Sequence, residues 1–109
     1  MKNDAMQELL EQYRKKLPEK IFHLRTLIEN LKSSSSQETL KEIISAIHKL
    51  AGSAGTYGLM EISIECKKKE KELQHLITHF DKGKVSTSFF DDLIYFIEAL
   101  ERLSTEVRD

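Results

Sequence analysis

Apolar residues recur three and four positions apart through most of this chain, and no segment alternates at period two, so the pattern predicts helices and no sheet. Five helical segments can be read. The first, about residues 4–16, carries Met6, Leu9, Leu10 and Tyr13. Pro18 suits the first turn of a helix, which predicts a second segment starting there, with Ile21, Leu24, Ile28 and Leu31 on one side and an end in Ser33-Ser34-Ser35-Ser36. Ser35 and Glu38 have the spacing of a capping box, so a third helix is predicted from near residue 36, with Gly55 and Gly58 bracketing its end. A fourth runs from Leu59 to about Asp81, with Leu59, Ile62, Cys66, Leu73, Ile77 and Phe80 on one face. Gly83 interrupts, Ser86 or Thr87 can cap, and a fifth helix continues to about Val107 through Phe89, Leu93, Phe96, Leu100 and Leu103.

Short connections between long amphipathic helices favour antiparallel neighbours, and four such stripes are buried together by closing a bundle. The predicted fold is therefore all-α: an antiparallel up-down-up-down four-helix bundle, with a short extra N-terminal helix covering one end of the second and fifth segments. Residues 1–109 read as a single domain, because neither an internal repeat nor an interdomain linker interrupts the pattern. A chain of this length buries somewhat over ~60% of its unfolded surface.

Charge narrows the partners. Seventeen basic and eighteen acidic residues give a net charge of −1, which argues against a nucleic acid or an anionic membrane as the main partner. Lys67-Lys68-Lys69 is diluted by Glu65, Glu70 and Glu72 and reads as a charged helix face. A lone Cys66 forms no internal disulfide and fits a reducing compartment. Without an apolar run of signal-peptide or membrane-spanning type, the expected location is the cytoplasm, and the expected state a monomer.

The candidate chemistry lies at His48. On a helical wheel Leu40, Ile43, Ile44, Ile47, Leu50, Ala51 and Ala54 fall within roughly 120°, and His48 stands about 100° from the centre of that arc. Gly52, one turn on, lies beside it, with Ser45 and Gly55 flanking the same face. A glycine within a helix costs about 1 kcal/mol relative to alanine, so Gly52 is best explained by something that must approach closely. A neutral imidazole keeps one bare ring nitrogen and can act as a nucleophile. By itself the histidine fits either that role or an ordinary surface position.

His48-x-Leu50-x-Gly52-Ser53-Ala54-x-x-x-Gly58-Leu59 resembles the signature of histidine-containing phosphotransfer (HPt) domains, the phosphocarriers of multistep phosphorelays. Many members have lysine three residues after the histidine; this chain has Ala51, and Lys49 is the nearest replacement. The resemblance implies that His48 accepts a phosphoryl group from the receiver domain of a hybrid sensor kinase and passes it to the receiver of a response regulator. It further implies that the receiver aspartate and its Mg²⁺ do most of the catalysis. No cofactor is expected on this chain itself. Ser45, Lys49, Gly52, Gly55, Lys67 and Lys68 form the expected docking set around His48, the lysines standing near the transferring group.

Glu70 falls on the inward stripe between Cys66 and Leu73, where an unpartnered carboxylate is costly. A hairpin turning at residues 55–58 brings His48 level with roughly Cys66 to Glu70, so Glu70 can accept the Nδ1 proton or can snorkel to solvent. HPt domains of one branch are similar at this offset. The chain lacks a phosphate-cradling G-x-x-x-x-G-K-[ST] loop, and is read as a carrier rather than an enzyme. His75 and His79 stand four apart on a polar face and read as surface residues, His23 has no companion, and Cys66 reads as core. Two rival readings are a helical adaptor of the same fold that is not phosphorylated, and a metal-dependent bundle enzyme, for which inward Glu-x-x-His ligands are missing.

Overall fold

The computed structural model describes residues 2–34, 36–78, 80 and 86–106. Four helices make up the described chain: α1 Lys2–Ser34, α2 Gln37–Thr56, α3 Met60–Ile77 and α4 Thr87–Glu106. The fourth predicted segment thus ends at Ile77 rather than near Asp81. The predicted features at Ser35, His79, Asp81, Gly83 and Val107 lie outside the described residues.

The separate N-terminal helix is not present. Residues 2–34 form one helix with Pro18 inside it. The physical reason is the phase of the buried stripe. Tyr13, Leu17, Ile21, Leu24, Ile28 and Leu31 are all buried, at spacings of four, four, three, four and three, and Pro18 falls between them on the exposed side. Pro18 has no N–H for the Arg14 carbonyl and costs about 3 kcal/mol in a helix interior, but each buried leucine or isoleucine contributes roughly 1.5–3 kcal/mol. A break at Pro18 would throw one half of that stripe out of phase with the core.

Nor do the first residues cover the end of the bundle. Met6 and Leu9 are 57% and 46% exposed, and of that group only Leu10 packs on the core. The molecule is accordingly elongated, 56 × 20 × 18 Å.

The start of α2 is fixed by Ser36, whose hydroxyl accepts the Thr39 N–H at 3.0 Å. Its end is a Schellman turn. Leu59 N–H reaches Ala54 O at 2.8 Å and Gly58 N–H reaches Gly55 O at 3.1 Å, while Gly58 takes φ +78°, a conformation that favours glycine. Buried Ala54 and Leu59 close the apolar side of the turn.

This corner sets α3 against α2. Ser63 Oγ donates to Ala51 O at 2.9 Å, His48 stands opposite Glu70, and Gln37 Nε2 donates to Ile77 O at 3.1 Å, so the start of one helix meets the end of the other. Tyr13 of α1 shares a 2.6 Å hydrogen bond with Ser53 of α2 and stacks on Tyr57 at 4.6 Å. Arg25 Nη2 donates to both carboxylate oxygens of Glu101 of α4 at 3.1 Å, and Lys69 of α3 lies over the Phe96 ring. The shared core runs along the axis through Leu24, Leu40, Ile47, Ile62, Leu93 and Ile97.

Candidate functional site

His48 sits on α2 with its side chain 73% exposed. The local sequence explains the exposure, since Ile47 and Leu50 point into the core and the position one turn beyond His48 is a glycine. A Cβ built on Gly52 meets nothing within 4 Å, which leaves an open floor beside the imidazole.

On the other side of the ring is Glu70, with a side chain only 15% exposed. Its Oε2 lies 2.8 Å from His48 Nδ1. An ionised carboxylate accepts and never donates, so Nδ1 carries the proton and donates it. The remaining nitrogen, Nε2, then keeps its lone pair on an exposed ring. Such an arrangement can present Nε2 as an oriented nucleophile, by the same logic that orients the base in catalytic histidines.

The same Glu70 oxygen accepts a second hydrogen bond, from Gln74 Nε2 at 3.2 Å. Sequence reasoning missed Gln74, although its i,i+4 spacing from Glu70 was a readable signal. It also missed Ser63, which is fully buried and bonded to the Ala51 carbonyl. A Cβ on Gly55 would stand 3.2 Å from Ser63 Oγ. Gly55 therefore serves the close approach of α3, which separates it from the open Gly52.

The other predicted positions divide. Ser45 and Lys49 are exposed on α2 and line a groove of about 650 Å³ between α1 and α2, opposite Glu19, Lys20 and His23. Lys67 is exposed on α3, one turn before Glu70 and on the same flank. Lys68 is not brought to the site. It pairs with Glu65 at 3.6 Å and lines the groove against Tyr95 and Phe96 of α4, because two residues from Glu70 is more than half a turn away.

Cys66 lies one turn before Glu70 and is fully buried. Burial first, then the Glu65 and Glu70 charges, push its thiol up to about 12, so it stays protonated and inert. Tyr13 is also raised, by burial, against the opposing hydrogen bond from Ser53. His75 is exposed beside Leu76, and among the described residues no cluster of three His, Cys, Asp or Glu side chains could hold a metal ion. Among the described residues no helix is long and apolar enough to cross a membrane.

A family profile described as Hpt domain matches residues 6–106, nearly the whole chain. No curated protein and no solved structure matches it.

Proposed function

The chain belongs to the Hpt domain family, and on that premise we propose that His48 is its phosphoryl acceptor. Hpt domains are phosphocarriers of phosphorelays and work with receiver domains. In this chain the group arrives from the aspartyl phosphate of a hybrid kinase receiver. His48 Nε2 attacks phosphorus, the bond from phosphorus to the aspartate oxygen breaks, and the carboxylate leaves. Glu70 keeps the proton on Nδ1 throughout. Transfer to the response regulator is the same step in reverse, onto a second receiver aspartate.

The observation that carries this reading is the 2.8 Å contact between Nδ1 and Glu70 on a ring otherwise open to solvent. Positioning and charge stabilisation dominate phosphoryl transfer, so an oriented nucleophile and room for a partner are what a carrier needs. Mg²⁺ belongs to the receiver in this scheme. Gly52 and Ser45 give the receiver backbone access, while Lys49 and Lys67 supply cations at the rim in place of a lysine at Ala51, which is buried. The contacts along α2 and α3 support an antiparallel bundle, with residues 1–109 acting as one cytoplasmic domain.

The test is direct. Incubated with a phosphorylated receiver, the wild-type protein takes up acid-labile, alkali-stable label, and His48→Gln takes up none while keeping its helical circular dichroism. Equal label on both proteins, or label traced to His23 or His75, would overturn the assignment.

A further inference from the structure

Glu70 is held from two sides, by His48 of α2 and by Gln74 of its own helix. Its Oε2 lies between His48 Nδ1 at 2.8 Å and Gln74 Nε2 at 3.2 Å, both donors converging on one oxygen. We propose that Gln74 is a positioning residue for His48, pinning the Glu70 carboxylate in the rotamer that receives the Nδ1 proton. The proposal rests on the reading of His48 as acceptor and deepens it.

Three features support it. Glutamate has three side-chain torsions, and its carboxylate loses freedom only where something fixes it. Cys66, one turn earlier on α3, is buried in the core and offers Glu70 no amide or hydroxyl donor. Gln74, one turn later, points its amide back along the helix to the very oxygen in use. A single i,i+4 amide-to-carboxylate bond is weak on an exposed helix, but this one acts on a carboxylate already mostly withdrawn from water, where a charge-assisted bond counts for more. Gln74 is itself exposed, so substitution there disturbs no packing.

The consequence is in the tautomer. With Glu70 pinned, the neutral ring holds its proton on Nδ1 and presents a bare Nε2. With Glu70 free to swing away, the proton redistributes to Nε2 and the nucleophile is lost for that fraction of molecules.

The experiment compares Gln74→Leu, which removes the donor and keeps helix propensity, with Gln74→Lys, which keeps a donor in the favourable glutamate-to-lysine order. Two readouts are taken. Nitrogen NMR of the neutral His48 ring, assigned with His48→Gln, reports the tautomer without any phosphate. Phosphorylation by phosphoramidate reports the nucleophile: Nε2 attacks phosphorus, the donor's phosphorus–nitrogen bond breaks, and ammonia leaves. Gln74→Leu should move the ring toward Nε2–H and slow labelling about two- to threefold, while Gln74→Lys stays near wild type. In a Glu70→Ala background the Gln74→Leu change should move neither readout, as required of a residue that acts through Glu70.

An unchanged tautomer in Gln74→Leu overturns the proposal, as does an equal effect without Glu70. A tautomer shift in a protein that no donor labels supports the positioning and counts against the carrier reading alone.

Discussion

At the scale of single residues, two glycines on one helix do opposite work. Gly52 faces open space and Gly55 faces Ser63, whose hydroxyl is tied to the Ala51 carbonyl and has little freedom to retreat. Gly52→Gln should therefore raise stability by up to about 1 kcal/mol through helix propensity, yet slow transfer from a receiver about tenfold or more, some ~1.4 kcal/mol in the barrier. Gly55→Ala should lower stability by about 1–3 kcal/mol through overpacking. Urea melts of the two variants, beside transfer kinetics for Gly52→Gln, separate the roles; a destabilised Gly52→Gln would assign that glycine to packing. Cys66 makes a second, pH-dependent prediction. Its folded thiol is raised from 9.0 to about 12, so between those values the unfolded chain has released a proton that the folded chain retains. Stability is thus fully present below pH 9.0 and is lost as pH rises toward the folded value. Tyr13, raised from 10.0, adds a loss of the same sign. Cys66→Ala should flatten the alkaline decline of the melting temperature without abolishing it, and an unaltered slope would exclude the thiol as its source.

At the scale of helices, α1 is where sequence and structure part. Pro18 is an equally good signal for a helix start and for a tolerated interior proline, and only the buried phase from Tyr13 to Leu31 decides between them. Pro18→Ala tests the decision. In a continuous helix it restores the Arg14 carbonyl's partner and should raise stability by about 1–3 kcal/mol; at the first turn of a separate helix it would leave stability level or lower it. Calorimetry on the two proteins distinguishes these. The meeting of His48 and Glu70 was legible because it follows from a tight turn near residue 58 and a constant rise per residue. The cap at Ser36 was not, since four consecutive serines offer the same hydroxyl at successive positions. Lys68, two residues from Glu70, lies on another flank with Glu65, and the Tyr13 to Ser53 bond joins residues forty apart, which no local pattern reports.

At the scale of the molecule, the candidate site occupies one flank of an elongated rod, His48 and Glu70 facing each other across α2 and α3. The first turns of α1 leave Met6 and Leu9 exposed, while core packing becomes continuous from Tyr13 onward. Deleting residues 1–9 should cost at most about 1 kcal/mol and leave phosphoramidate labelling of His48 within about twofold. A larger loss in a thermal melt, or a lost label with the fold intact, would show that the N-terminal turns support the site.

The corner at Gly58 acts on that flank as a ruler. One residue inserted between Leu59 and Met60 would slide α3 by about 1.5 Å and rotate it by about 100°, delivering Lys69 to the place now held by Glu70. The ring would then face a donor where it now faces an acceptor, Nδ1 would have to accept, and the proton would reside on Nε2. The length of this turn is thus as heritable a part of the chemistry as the histidine, and insertions here would silence the protein while leaving every residue of its motif in place.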